Sequence, residues 1–301
     1  MKRRRKKKRD LLQKALYNLM MALGLLVRNI SRKNSTVIAH VLGNFVYHIL
    51  KTRRPLVTGN LALTFPAKSS AEINVLAAWV YRNQAENIIE MLRIPMIKTV
   101  ADAAKLLDVD AADFLAKTVD QKKGGVLVSA HFGNWELLGL CCGLLATPLT
   151  IVAKPLKNFR IDQQINAWRT MHGNRIIYDC TALRDGLRAL RNGEIVVLLG
   201  DQSDPGASFV TDFLGRPTAV FLGPAYLALK ARVPLFVGMC RRTKNGSYTF
   251  KTEEVESGDL GSTKADVEEL ARRYTKVLER FIYRYPEEWF WLHNRWKRME
   301  P

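Results

Sequence analysis

The sequence predicts an α/β chain, with a central mixed, largely parallel sheet flanked by helices and an N-terminal helical membrane anchor. Two observations carry this. Strand-like and helix-like stretches alternate from Val126 to Cys240, which implies parallel connections with helices on both faces of a sheet. The N-terminal stretch has a composition of its own, a basic run followed by an apolar run. The chain has 301 residues, 48% of them hydrophobic, enough for one large α/β domain and an appendage. We therefore divide it into a basic tail with membrane-associated helices at 1–50 and an α/β domain at 51–301.

Lys2 to Arg9 holds eight of the 47 basic residues; removing it takes the net charge from +19 to +11, so the body is basic as well. Partners should be acidic, and nucleic acid, anionic membrane and acidic carrier protein all qualify. Ala15 to Val27 is apolar but broken by Asn18 and bounded by Arg28, short of the roughly 18 residues expected of a spanning helix. Ser35 to Leu50 is amphipathic, so the pair suits an interfacial anchor as readily as a single span. No Ala-x-Ala-like cleavage site precedes Ser31-Arg32-Lys33, and the basic run should keep the N-terminal end cytoplasmic.

Thr52 to Pro66 reads as a short helix stopped by its proline. Ser69 or Ser70 starts a longer one, with Ile73, Leu76, Val80, Ile88 and Met91 at helical spacing. Helical pieces are expected around Val100 to Leu107 and Ala111 to Val119. Val126 to Ala130, behind Gly124-Gly125, reads as a buried strand, and Asn134 as the cap of a helix through Leu145. Strands follow at Leu149 to Ala153, Arg175 to Asp179, Ile195 to Gly200 and Pro234 to Cys240; helices are expected at Arg160 to Met171, Ala182 to Arg191, Val220 to Arg232 and Tyr274 to Tyr285. The four cysteines, at 141, 142, 180 and 240, lack metal-binding spacing and read as core residues in a reducing compartment.

The central strand ends at His131. Five residues on, Glu136 falls in the first turn of the helix, from which a carboxylate can reach one imidazole nitrogen and leave the other facing a substrate. No Ser or Cys nucleophile shares that turn, so the expected chemistry is a base that activates a hydroxyl for direct acyl transfer. Gly133 permits close backbone approach, and the helix N-terminus supplies free N–H groups for an oxyanion. No G-x-G-x-x-G, P-loop or G-x-S-x-G pattern occurs, which argues against nucleotide folds and serine hydrolases. Neither a metal nor a cofactor is called for.

The hexapeptide His131-Phe132-Gly133-Asn134-Trp135-Glu136 resembles the active-site motif of the bacterial lipid A late acyltransferases, within the wider glycerolipid acyltransferase superfamily. The resemblance extends through Arg53-Arg54, Asn60-Leu61 and Phe65-Pro66; through Arg169 with His172-Gly173; through Gly200-Asp201-Gln202; and through the tail from Pro286 to Lys297. Leu214 departs from it, standing where the pattern has a second Phe. The resemblance implies His131 and Glu136 as the catalytic pair, with Asn134, Arg169, Asp201, Gln202 and Arg295 binding substrate. It further implies acyl carrier protein as donor, a membrane glycolipid such as the lipid A precursor as acceptor, and the cytoplasmic face of the bacterial inner membrane as the location, without a nucleic-acid partner. Open alternatives are another glycolipid or aminolipid acceptor, an acyl-CoA donor, and a basic membrane or nucleic-acid binder whose His–Glu pair is structural.

Overall fold

The computed structural model describes residues 2–110, 114, 116–202 and 209–297. Helix α1 (Lys2–Arg28) is followed by α2 (Arg32–Phe45), which continues into a π-helical turn, Val46–Leu50. Lys8–Arg28 is long and apolar enough to cross a membrane. Then come α3 (Arg54–Thr64) and α4 (Ser70–Arg93), the latter started by a capping box between Ser69 and Glu72. After the short α5 (Val100–Ala104), the sheet begins with β1 (Leu107–Asp110) and β2 (Gly125–Ser129). The expected helix at Ala111 to Val119 lies mostly outside the described residues; Ala116–Asp120 is a π-helical turn.

From β2 onward, strands and helices alternate as expected, with α6 (Trp135–Leu145), β3 (Leu149–Ala153), α7 (Phe159–Arg169), β4 (Arg175–Tyr178), α8 (Ala182–Arg191) and β5 (Ile195–Leu199). A hairpin, β6 (Val210–Phe213) and β7 (Arg216–Ala219), leads to α9 (Gly223–Ala231), β8 (Leu235–Arg242), β9 (Tyr248–Val255) and α10 (Lys264–Arg284). Two strands of the main sheet were not anticipated. β1 reads Leu-Asp-Val-Asp, an edge strand with too little apolar character to stand out, and the apolar pattern of β9 is interrupted by the charged Lys251, Glu253 and Glu254. The hairpin is a further departure, its strands β6 and β7 lying between β5 and α9, where no strand was expected. Leu214 and Gly215 both have positive φ, 53° and 75°, the geometry of a tight hairpin turn, and Leu214 is buried.

The seven strands run in the order β1-β9-β8-β2-β5-β3-β4, parallel except for the β8–β9 pair. Because side chains alternate along a strand, β2 sends Val126 and Val128 to one face and Leu127 to the other. The first face packs on α9, α10 and the C-terminal tryptophans, the second on α6, α7 and the end of α4. Central β2 is buried at every position, so the loop at its C-terminal end, which begins at Ala130 and carries His131, is held from all sides. Cys141, Cys142 and Cys240 are buried, whereas Cys180 is exposed at the end of β4.

Candidate active site

The turn after β2 is defined by contacts that admit few alternatives. Gly133 has φ +55°, and a Cβ there would lie 1.6 Å from the Cys240 carbonyl oxygen, so a side chain is sterically forbidden. The Gly133 N–H donates to the Glu288 carbonyl (3.0 Å), its own carbonyl accepts from Asn87 Nδ2 (2.6 Å), and Phe290 N–H donates to the His131 carbonyl (2.9 Å). Asn134 caps α6 by accepting from Leu137 N–H (3.0 Å), as its position predicts. Trp135 and Glu136 open the first turn of α6, where a helix has backbone N–H groups without intrahelical acceptors.

His131 does not use Glu136 to hold its ring. Asp201, just beyond β5 and fully buried, accepts from His131 Nδ1 at 2.9 Å through one oxygen. Its other oxygen takes the His131 backbone N–H (3.0 Å) and Trp289 Nε1 (2.8 Å). Burial pushes the Asp201 carboxyl up, but the adjacent imidazole and these hydrogen bonds outweigh it and hold it below the usual range. An ionised carboxylate only accepts, so the ring proton sits on Nδ1 and Nε2 carries the lone pair. Gln202 lies across the ring, with its amide nitrogen 3.2 Å from Nε2.

Glu136 sits in the first turn of α6, where the spacing placed it, yet its carboxylate is gripped by Arg169 of α7 in a two-point pair (2.8 and 2.5 Å). The reason is register. Trp135 occupies the helix side nearest the imidazole, their ring centroids 5.1 Å apart, and Glu136 is turned toward α7. An apolar groove of about 530 Å³ runs up to this pair, lined by Trp135, Glu136, Phe290 and Leu292 at its inner end and by Leu23, Leu42, Val46, Ile88 and Met91 of α1, α2, the π turn and α4 farther out. Phe290 also stands beside His131, with centroids 6.1 Å apart.

This constellation is one oriented imidazole, one anchored ion pair, a helix N-terminus and a long apolar groove. Residues 2–298 match the family described as bacterial lipid A biosynthesis acyltransferase. The chain belongs to that family. Among its relatives are the lipid A biosynthesis palmitoleoyltransferase of Escherichia coli (strain K12), 28% identical over 260 residues (85% of this chain, 82% of that one). The lauroyltransferase of the same organism is 27% identical over 259 residues (85% and 83%). A phosphatidylinositol mannoside acyltransferase of Mycobacterium tuberculosis (strain ATCC 25618 / H37Rv) is 26% identical over 217 residues (69% and 66%).

In this acyltransferase the sequence-derived residues divide. His131, Asp201 and Gln202 form one cluster, and Glu136 and Arg169 form an ion pair between α6 and α7. Asn134 is buried and joins the support beneath the turn, donating to Glu90 Oε2 at 2.9 Å. Arg295, expected to face an anionic headgroup, is instead 2% exposed, donates to the Ala219 carbonyl (2.7 Å) and lies over the Phe213 ring. Burial pushes its pKa down to about 10, which leaves it charged at neutral pH and held in the core. Trp289, Trp291 and Trp296 are buried around it, so the aromatic tail is packing rather than a binding platform. His293, pushed down to about 4 by burial, stays neutral.

What the sequence reading missed is the buried polar layer under the turn. Asn83, Glu86, Asn87 and Glu90 recur at helical spacing on α4 and are all buried. Glu90 accepts from Arg32 (2.5 Å), Asn134 and Tyr248, with Arg242 3.3 Å away; Arg242 also pairs with Glu86 (2.9 Å) and donates to Asn87 (3.1 Å). Burial pushes the Glu90 carboxyl up, but Arg242 and Arg32 outweigh it and keep it ionised. The signal was legible as a polar stripe of period 3.6 beside the apolar one.

Proposed function

We propose that this acyltransferase moves a fatty acyl chain from a thioester, on acyl carrier protein, to a hydroxyl of the lipid A precursor, an acylated glucosamine disaccharide, at the cytoplasmic face of the inner membrane. The observation that carries the reading is the pairing of a histidine base, its Nδ1 held by Asp201, with an apolar groove that ends at the two aromatic rings flanking it. His131 Nε2 takes the proton of the acceptor hydroxyl as the oxygen attacks the thioester carbonyl. Asp201 stabilises the imidazolium that forms, and the first-turn N–H groups of α6 meet the oxyanion. Collapse of the tetrahedral adduct expels the thiolate, which takes up the proton from His131. Glu136 and Arg169 act as a unit, the carboxylate fixing a guanidinium beside the inner end of the groove for the phosphate or oxyanion of a substrate.

The groove supports an acyl substrate because its lining is mostly apolar, and the basic body suits an acidic carrier. The names of the Escherichia coli relatives favour lipid A as acceptor; the mannoside-acylating relative favours a second reading, a different glycolipid at the same site. Transfer assays with acyl carrier protein and acyl-CoA thioesters, each against both acceptor classes, separate these. The His131→Ala protein should lose transfer by about 10²–10⁴-fold while remaining folded, since that is what a positioned base contributes. Transfer within a few-fold of the unaltered protein would sink the mechanism.

A further inference from the structure

Helix α1 touches the body at points spread from Asp10 to Arg28, not at one end. Asp10 pairs with Arg160 (3.5 Å), and Gln13 exchanges hydrogen bonds with the Lys157 carbonyl and Asn158 Nδ2 (2.9 Å each). Tyr17 donates to Gln164 (3.2 Å), Val27 is completely buried, and Arg28 donates to the Leu92 carbonyl at 2.7 Å. Together with the half-buried Met20 and Met21 and the buried Gly24, these residues form one stripe at helical spacing, and from Asp10 to Arg28 it advances about 27 Å. A bilayer's hydrocarbon core is about 30 Å thick, so a spanning α1 in this packing would drag Lys157, Arg160 and Gln164 into lipid. The opposite stripe is apolar and exposed, with Leu11, Leu12, Leu16, Leu19 and Leu26. That is the pattern of a helix lying in the interface plane, its apolar side on lipid and its other side on protein.

The turn between β3 and α7, pinned to α1 through Gln13, has the same character. Leu156 and Phe159 are 45% and 64% exposed, interleaved with exposed Lys154, Lys157 and Arg160. Exposed apolar side chains ringed by lysine and arginine match an anionic bilayer surface, with the rings at headgroup depth and the cations reaching phosphates.

We propose that α1 lies flat on the bilayer instead of crossing it, and that the β3–α7 turn, through Leu156 and Phe159 within a basic ring, is a second contact with anionic lipid. The groove walls from α1 and α2 then open sideways into the leaflet, so a lipid acceptor reaches His131 without leaving the membrane. This rests on α1 being a membrane element and not on the acyl-transfer chemistry.

The test uses the full chain and vesicles of phosphatidylcholine with or without phosphatidylglycerol. Leu156→Glu with Phe159→Glu should lower partition onto anionic vesicles at least about tenfold, as expected for replacing two partly inserted apolar side chains by charges. Transfer measured in detergent should hold on the same preparations, so a fault in the function reading shows separately. If that variant does not fold, Phe159→Cys in a Cys180→Ser background, carrying an environment-sensitive fluorophore, should shift to the blue on adding anionic vesicles. Cysteines placed at Lys8 and Lys33 should both react with an impermeant maleimide from the same side of sealed vesicles. Labelling of the two from opposite sides, unchanged partition, or an unshifted fluorophore overturns the proposal. Weakened capture by acyl carrier protein with partition unchanged assigns the turn to that protein instead.

Discussion

Asp201→Asn is the substitution that discriminates most sharply between the two carboxylates near His131. In the folded protein one oxygen of Asp201 receives two donors, His131 N–H at 3.0 Å and Trp289 Nε1 at 2.8 Å, and the other receives His131 Nδ1 at 2.9 Å. An asparagine can keep the first pair by turning its carbonyl oxygen toward them. Its amide NH2 then faces Nδ1, and two donors cannot share one hydrogen bond, so the ring proton moves to Nε2 and the base is lost. Restoring the active tautomer forfeits a hydrogen bond to a charged group, about 1.5–3 kcal/mol, or roughly 10–10²-fold. The imidazolium also loses its counter-charge, so the total fall in kcat should reach about 10²–10⁴-fold. Because the fold-supporting pair survives, the melting temperature should move little. The assay is steady-state transfer with an acyl thioester and a solubilised glycolipid acceptor, with KM and kcat separated and thermal unfolding followed by circular dichroism. Transfer by Asp201→Asn within about fivefold of the unaltered enzyme, while Glu136→Gln is inactive, would refute the assignment and return the orienting role to Glu136.

Three further outcomes follow from the same geometry. Gly133→Ala should unfold the turn or abolish transfer, because a Cβ 1.6 Å from the Cys240 carbonyl cannot be accommodated without moving β8; a protein with normal melting and activity would contradict it. Glu288 is buried beneath that turn, and burial pushes its carboxyl up to about 7 despite Arg242, so the folded state holds a proton that the unfolded chain releases near 4.5. Stability should therefore fall as pH rises from about 4.5 to 7, by about 3 kcal/mol in total, and Glu288→Gln should flatten that decline when denaturant midpoints are compared at pH 5 and pH 8. Arg295→Ala should lower the melting temperature by several degrees, with about 2–4 kcal/mol lost from an emptied core site, while KM for the acceptor stays nearly unchanged; a raised KM at normal stability would restore Arg295 to the substrate surface.

The sequence by itself determined the architecture and the address of the site. Alternation from Val126 to Cys240 specified a parallel sheet because period-2 and period-3.6 runs are local properties, and the Gly-Gly turn, apolar strand and Asn134 cap placed His131 at a strand end for the same reason. Glu136 in the first turn of α6 was equally legible. Which side chain meets which was not. Asp201 lies 70 residues beyond His131, and only the side-by-side pairing of β2 with β5 delivers it to the imidazole. Glu136 is turned away because Trp135 takes the near side of the helix and Arg169 waits on α7. Arg295 looked like a headgroup ligand because charge is usually at the surface, whereas its surroundings, the Phe213 ring and the Ala219 carbonyl, are assembled from other parts of the chain. Helical spacing on α4 recorded both an apolar and a polar stripe, but only the approach of Arg32 and Arg242 decided that Glu90 would be buried as an ion. Periodicity is written residue by residue; the pairing of charges depends on distances between elements, which exist only once the sheet has closed around them.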